Sequence, residues 1–424
     1  MHDLRAVRDN VDELRDAMRR RGKLDTLSTV IDGMRSMDAE RRTLIQAVEE
    51  RKGARNSMSH EVAKRKREGA NADDLLAQSR ALGEEIERLE RELAAQETAL
   101  NASMMEIPNA TLPDVPEGDA ESNVVVRSWG EPRAAETVRP HWEVGMGLGL
   151  IDFERGAKIA GSGFILFRGL GATLVRGLIN LMLDLHTREH GYEEVWVPAL
   201  VNRAAMTGTG QLPKFEDDMY AVRDSDLFLI PTAEVPITNI YRDEIIQEAD
   251  LPRAFAGYSP CFRREAGAHG KDTRGLIRVH EFDKVELVRY STPERSAEEL
   301  EILTGHAEKV LQLLGLPYRV VLLAAGDTGF SSAKTYDLEV FAPGAGVWLE
   351  ASSCSSFTDF QARRANIRYR PAQGGKPRFV HTLNGSGVAF PRVIAAILEH
   401  YQNADGTIAV PDALRRFVGT DRLG

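Results

Sequence analysis

The stretch Tyr258–Tyr290, YSPCFRREAGAHGKDTRGLIRVHEFDKVELVRY, holds charged and aromatic residues at alternating positions. Two strand-like runs flank a polar, Gly-containing segment, Ala266 to Gly275, which predicts a hairpin. Successive side chains of a strand point to opposite faces. Arg263 and Glu265 then share one face of the first strand, and Arg278, His280, Phe282, Lys284 and Glu286 share one of the second. If the two faces coincide, a single surface carries arginines, carboxylates and one aromatic ring. A cross-strand ladder of ion pairs is the plain alternative, but it gives the phenylalanine nothing to do. The set suits a nucleotide: Arg grips phosphate through planar donors, Phe stacks on a base, and Glu accepts from an amine.

Three further stretches carry groups able to do chemistry. Glu350 opens the run EASSCSSFTDF, where a carboxylate beside hydroxyls offers the hard oxygens that Mg²⁺ prefers, although Ser/Thr clusters also make turns and caps. Thr232-Ala233-Glu234 follows a predicted strand, Asp226 to Ile230, and reads either as a helix cap or as a polar pocket wall. In GVAFPRVIAAILEHY, Pro391 sits where a helix starts and Arg392 lies in its first turn. A cation there opposes the helix dipole, so it calls for an anionic partner. Gly145, Gly147 and Gly149 have the wrong spacing for a dinucleotide fingerprint, and no strand precedes them.

These groups need elements to hold them. Residues 170–189 predict an amphipathic helix, with Leu174, Leu178, Leu181 and Leu185 on one face and Gly191 ending it. Strands are expected at Glu193–Val197, Tyr318–Leu323, Thr335–Phe341 and Val347–Ala351, and a helix at 294–314. Upstream, 4–20 predicts a short helix. After Gly33, Met34, Met37, Leu44, Val48, Met58 and Val62 follow a 3/4 repeat, with Arg41, Arg51 and Arg55 at other seam positions. A turn at Glu68–Asn71 precedes Leu75, Leu82, Ile86, Leu89, Leu93 and Leu100 at heptad spacing, broken by Ser79 and Gln96. This is the pattern of an antiparallel coiled coil, a rod of roughly 45 Å for ~30 residues a side. Arg51, Lys52, Arg55, Lys64, Arg65, Lys66 and Arg67 gather toward one end of it, a charge asymmetry that suits a phosphate-contacting arm. From 107 to 140, five prolines break any helix and read as a linker.

Composition excludes several classes. At 424 residues the chain has room for two or three domains. A net charge of −10 argues against a wholly basic nucleic-acid coat but leaves room for one basic arm, because screening keeps surface charge local. Two cysteines, Cys261 and Cys354, are too few for a disulfide framework or a Cys-rich zinc site. No apolar run approaches the ~18 residues that span a bilayer. The charged start MHDLRAVRDN carries no apolar signal segment. Together these predict a cytoplasmic protein without membrane contact.

The hairpin, the helix and strand ending at Pro198, and GVAFPR before a helix resemble the three signatures of class II aminoacyl-tRNA synthetases. TAE (232–234), FRREAG (262–267), EASSCS (350–355), QARRANIRYR (361–370), TLNGSG (382–387) and the N-terminal helical hairpin resemble the bacterial seryl-tRNA synthetase family, over essentially the whole chain. The resemblance implies an α+β fold: an N-terminal antiparallel coiled coil, then a class II core of antiparallel sheet flanked by helices. It implies a tRNA-binding domain at 1–106 with its arm at about 34–104, a linker at 107–140, and a catalytic domain at 141–424.

The implied activity is ligation of L-serine to tRNA(Ser) through seryl-adenylate, with tRNA(Sec) a further substrate by family analogy, in a homodimer using ATP and Mg²⁺. Carried over, Arg263, Arg278 and Arg392 are catalytic. Arg263, Arg264, Glu265, Val279, Phe282, Glu350, Ala351, Ser352, Ser353 and Arg392 meet ATP, with Glu350 and Ser353 holding its Mg²⁺. Thr232, Ala233, Glu234, Arg263, Glu286, Asn384 and Ser386 meet serine, and the seven arm cations meet tRNA. The family hairpin more often reads Phe-Arg-Ser-Glu and His-Gln-Phe. Here Arg264 and Glu281 differ, both on the opposite strand face, where a cross-strand pair is open to them. A related ligase that loads an amino acid onto a carrier protein is the alternative, but such relatives lack the long basic arm. A non-catalytic RNA-binding relative would have lost parts of the ATP set, which is intact here.

Overall fold

The computed structural model describes residues 1–134, 138–265 and 274–424. The chain divides into two compact units: His2–Arg19 with Lys23–Pro108, and Met1, Arg20–Gly22 and Asn109–Gly424.

The first unit is helical: α1 (Leu4–Arg8), α2 (Val11–Arg20), α3 (Leu24–Arg67) and α4 (Asp73–Met105). The single helix expected over 4–20 is two helices, because Asp9 and Asn10 interrupt it. Conversely α3 runs through Gly33 and begins ten residues before the expected arm. A mid-helix glycine costs about 1 kcal/mol, which the burial of Ile31 and Met34 beside it offsets. These two pack with Val7, Met18, Leu100 and Met104 in the unit's own core. Farther along the hairpin Val48, Val62, Ile86 and Leu89 are buried, while Arg41 reaches Glu97 at 2.9 Å and Arg51 reaches Glu85 at 3.0 Å. Two of the three seam arginines, Arg41 and Arg51, thus close onto carboxylates of the return helix.

In the second unit eight strands form one sheet among the described residues. They are β1 (Val124–Trp129), β2 (Glu193–Glu194), β3 (Arg253–Phe262), β4 (Glu281–Ser291), β5 (Tyr318–Leu322), β6 (Lys334–Ala342), β7 (Val347–Ser356) and β8 (His381–Ala389). The order is β1-β5-β6-β7-β8-β4-β3-β2, antiparallel except where β2 runs parallel to β3. Two differences from the sequence reading matter. The stretch expected as a linker supplies β1, paired with β5. The Ser-rich run after Glu350 continues β7 rather than forming a turn or cap.

Helices α5 (His141–Gly147), α6 (Leu170–Arg188), α7 (Ser296–Leu313) and α8 (Phe390–His400) belong to this unit. Leu174, Leu178, Leu303, Val310, Ile394 and Ile397 pack with Val285, Leu287, Leu338 and Leu383 of the sheet in one core. The odd-numbered positions Val285 and Leu287 of β4 therefore face helices. The even-numbered set Phe282, Lys284 and Glu286 turns to the other face.

Candidate active site

Hairpin register puts Cys261 opposite Phe282 and Phe262 opposite Glu281, and continues beyond the strand ends, where the Arg263 amide donates to the His280 carbonyl at 2.9 Å. This brings the two faces into coincidence. The Arg263 guanidinium lies 5.0 Å from the Phe282 ring centroid, and Arg278 pairs with Glu265 at 2.8 Å. Glu265 holds a positive φ of 50°, a conformation that costs a non-Gly residue free energy. His280 turns away from the charges: it stacks on Phe164 and its Nδ1 lies 3.0 Å from the Arg263 carbonyl. The rest of the expected loop, residues 266–273, lies outside the described residues.

Two adjoining cavities open on this face. The first is lined by Arg263, Glu265, Arg278, Val279, Phe282, Glu350, Ala351 and Arg392, all expected at the nucleotide. Arg392 has the anionic partner its helix position called for: its Nη1 donates to the Glu350 carbonyl at 2.6 Å and lies 3.4 Å from the Glu350 carboxylate. The second is lined by Thr232, Glu234, Arg263, Asn384 and Ser386, expected at the amino acid, with Glu350 and Ser353. Arg263, Lys284, Glu350 and Ser386 line both.

Beneath the second cavity a buried polar network replaces apolar packing. The fully buried Glu286 carboxylate accepts from Thr232 Oγ1 at 2.8 Å and from Asn384 Nδ2 at 3.2 Å, and it pairs directly with the Lys284 ammonium. Lys284 also donates to Thr232 Oγ1 at 3.0 Å. Gln361 Nε2 donates to Glu234 at 2.6 Å, and burial, followed by the neighbouring Glu286 charge, pushes the Glu234 carboxyl up to about 7. Thr232 lines the pocket, and its Oγ1 also accepts the Glu234 amide at 3.2 Å, one residue ahead of the N-cap Ala233 of the helix Glu234–Thr238, which has no side-chain cap.

Two β-bulges decide which side chains face the cavities. In β7 the register slips around Ala351, so that Glu350 pairs with Glu339 but Ser353 with Asp337. Strict alternation would put Glu350 and Ser353 on opposite faces; the extra residue puts them on one. In β8 the slip falls at Gly387, where an added Cβ would lie 3.0 Å from His186 Nε2 and 3.2 Å from the Val285 carbonyl. The slip leaves Ser386 directly opposite Glu286.

Some expected residues stand elsewhere. Ser352 is buried and its hydroxyl donates to the Ser386 carbonyl at 2.6 Å, holding β8 against β7. Ala233 is packed in a core cluster. Arg264 lines neither cavity; its amide donates to the Asp218 carbonyl, and among the described residues it makes no pair with Glu281. Burial, with the Asp283 charge beside it, raises the Glu281 carboxyl above its usual range instead. The sequence reading assigned no role to Lys284 or Gln361. Lys284 was on the right strand face, between Phe282 and Glu286, and that position was its signal. Gln361 opens the segment QARRANIRYR that carries part of the family resemblance, but no pattern of spacing links it to Glu234.

Oxygen ligands for a cation are present on this face. Glu350 borders both cavities, Ser353 lines the second, and Asp337, opposite Ser353, has a buried Oδ1 without a hydrogen-bond partner. Burial and the Glu350 charge hold the Asp337 carboxyl well above its usual range, which an added cation would reverse. The donor set fits a hard divalent ion held chiefly by a ligand's phosphates. Among the described residues no group of three or more His, Cys, Asp or Glu side chains could hold a metal alone.

Residues 1–111 match the family described as Seryl-tRNA synthetase N-terminal domain, and residues 214–401 match tRNA synthetase class II core domain (G, H, P, S and T). The serine–tRNA ligase of Gemmatimonas aurantiaca is 61% identical over 99% of both chains, and that of Carboxydothermus hydrogenoformans 53% over 100% of this chain and 99% of its own. The crystal structure of seryl-tRNA synthetase from Pyrococcus horikoshii complexed with ATP superposes with a TM-score of 0.93 at 38% identity, covering 100% of this chain and 99% of that one. With a matching N-terminal domain, a matching core and full-length likeness, the chain belongs to the seryl-tRNA synthetase family.

Proposed function

We propose that this chain is a serine–tRNA ligase, which activates L-serine with ATP and transfers the seryl group to the 3′ end of tRNA(Ser). The observation that carries this reading is the junction of the two cavities at Arg263, Lys284, Glu350 and Ser386. A nucleotide in the first cavity and an amino acid in the second meet there. A serine carboxylate oxygen attacks the α-phosphorus, the bond to the β-phosphate oxygen breaks, and pyrophosphate leaves. The terminal ribose hydroxyl of tRNA then attacks the seryl carbonyl and AMP departs.

No side chain need form a covalent bond. Arg263 at the junction neutralises charge on the α-phosphate, Phe282 supplies a stacking surface, and Arg392 closes the far side of the nucleotide. Pre-set donors where charge develops, together with positioning, supply most of the rate in such transfers. Thr232, Glu234, Glu286, Asn384 and Ser386 surround a small polar ligand. A site built to hydrogen-bond a hydroxyl rejects the analogue lacking it by ~10⁴–10⁵, because its own groups would stay unpaired. Glu350 and Ser353 would hold Mg²⁺ on ATP, where the ion would neutralise phosphate charge. ATP–pyrophosphate exchange against twenty amino acids tests the reading: serine alone should support exchange, and equal exchange with alanine would overturn it.

The remaining parts of the proposal concern assembly and partners. Trp196 is 79% exposed and Leu200 42% beside Ile240, in an open apolar groove at the β2 end of the sheet, which supports a homodimer through this face. The arm's basic residues support tRNA as partner; tRNA(Sec) as a second substrate and a cytoplasmic location are proposed by analogy with the family. No helix among the described residues is long and apolar enough to cross a membrane.

A further inference from the structure

Away from the reacting groups, two titratable side chains are buried together where three pieces of the nucleotide cavity meet. His141 and Glu399 are both fully buried, with Nδ1 and Oε1 2.7 Å apart. His141 Nε2 accepts the Leu276 amide at 3.0 Å, which places the ring proton on Nδ1 and makes that nitrogen the donor to Glu399. The same Glu399 oxygen accepts the His141 amide at 2.9 Å. Its other oxygen accepts the amides of Gly344 at 2.7 Å and Ala345 at 3.2 Å. Apart from the bond the two side chains share, every strong valence of the pair is spent on backbone amides that the core could not otherwise satisfy.

What these bonds hold is specific. Leu276 and Ile277 line the nucleotide cavity and lead to Arg278 and Phe282. Gly344 and Ala345 lie in the turn between β6 and β7, from which β7 carries Glu350 to the same cavity. Glu399 stands on α8, the helix whose first turn presents Arg392. Gly275 has φ +67°, and a Cβ there would lie 2.3 Å from His141 Nε2, so the backbone passes against the imidazole at a residue that tolerates both demands.

We propose that His141 and Glu399 are positioning residues for ATP: they lock the turn at Gly275–Leu276 that returns the chain to β4 (the strand return), the β6–β7 turn and α8 into one frame, so that Arg278, Glu350 and Arg392 are pre-set for the phosphates. They touch neither reacting atom. The serine side, built on Thr232, Glu286, Asn384 and Ser386, has its own hydrogen-bond network that neither residue enters. Of the three groups they hold, Glu350 alone borders the second cavity, while Arg278 and Arg392 line the first only.

The inference rests on the serine–tRNA ligase reading, and serine-dependent pyrophosphate exchange by the unaltered protein checks that reading first. Glu399→Gln keeps shape but turns a donor toward the Gly344 and Ala345 amides. KM for ATP is expected to rise ten- to hundredfold, the range a small misplacement of binding groups produces, while KM for serine stays within about twofold. Gly275→Ala is the second variant; it pushes the strand return off His141 without leaving a buried charge unpaired, and the same split is expected. Faster hydrogen exchange at the Leu276 amide in the folded variants is the accompanying signature. A folded variant with unchanged KM for ATP, or with both KM values raised by the same factor, would overturn the assignment. Absence of exchange in the unaltered protein would instead remove the ligase reading.

Discussion

At the residue scale the serine side is a problem in charge. Glu234 and Glu286 share one buried site with a single ammonium, Lys284, and Glu286 holds that ammonium. Glu234 is left to neutralise itself with a proton, and burial moves its titration up to about 7. Its folded value lies above the ordinary carboxylate range, so the fold binds that proton more tightly than the unfolded chain. Its contribution to stability is therefore lost as pH rises from that range through about 7. Function should move oppositely, because an ionised Glu234 better holds the ammonium of serine. The second-order rate constant for serine in pyrophosphate exchange is expected to rise with an apparent pKa near 7, that of Glu234. Glu234→Gln should flatten the step; a step that survives would assign it to another group. Arg263→Ala should cost about 3–4 kcal/mol, or ~10²–10³ in exchange rate, with no loss of fold because Arg263 is exposed. Near-normal exchange in that variant would move the α-phosphate contact elsewhere. Phe282 and Glu286 were readable because strand alternation groups them, and Arg263 joins them once the hairpin register aligns the two faces. Gln361 was not, since its contact with Glu234 joins residues 127 apart in sequence.

At the element scale the two bulges carry information that periodicity cannot. The pattern in EASSCSSF announces neither the slip at Ala351 nor the shared face of Glu350 and Ser353; the cavity depends on both. Only the pairing partner, β6, fixes which residue is extra. The bulge in β8 is more legible, because Gly387 admits the close approach of His186 and the Val285 carbonyl. Gly387→Ala is expected to force β8 outward by a few tenths of an ångström and to destabilise by about 1–3 kcal/mol, the usual cost of overpacking. Ser386 would leave its place opposite Glu286, so KM for serine should rise more than KM for ATP. Thermal unfolding and the two KM values check this. An unchanged KM for serine in a measurably destabilised variant would separate the bulge from the pocket. The hairpin, α6 and α8 were legible from periodicity and caps. The strand expected at Glu193–Val197 is present as β2 but only over Glu193–Glu194, and the edge strand β1 was not legible, because Pro-rich flanks hid it and tertiary pairing alone makes it a strand.

At the scale of the whole molecule, each unit has a separate core, and the division of labour between them can be tested. The arm's heptads and basic end were visible in sequence, but the ion pairs within the arm were not. Arg51 meets Glu85, Lys52 meets Glu90 at 2.9 Å, and Arg65 meets Asp74 at 3.2 Å, so three of the seven cations expected at tRNA already hold carboxylates. Arg55, Lys64, Lys66 and Arg67 form no ion pair among the described residues, which makes them the stronger candidates among the seven for meeting phosphate. Replacing these four by Gln should flatten the slope of log K against log salt for tRNA by roughly 3 units, at about 0.7–0.9 per phosphate contact. Replacing Arg51, Lys52 and Arg65 should change the slope less and lower arm stability instead. A larger excision removes Leu44–Leu93 and closes Thr43 to Ala94 with a short turn, since Arg41 and Glu97 already stand opposite each other at 2.9 Å. The core of Ile31, Met34, Leu100 and Met104 stays intact. Serine-dependent pyrophosphate exchange should persist, because the residues lining both cavities lie in the second unit. Transfer to tRNA should fall sharply. Loss of both steps would make the arm a structural support, and undiminished transfer would place the tRNA contacts elsewhere on the chain.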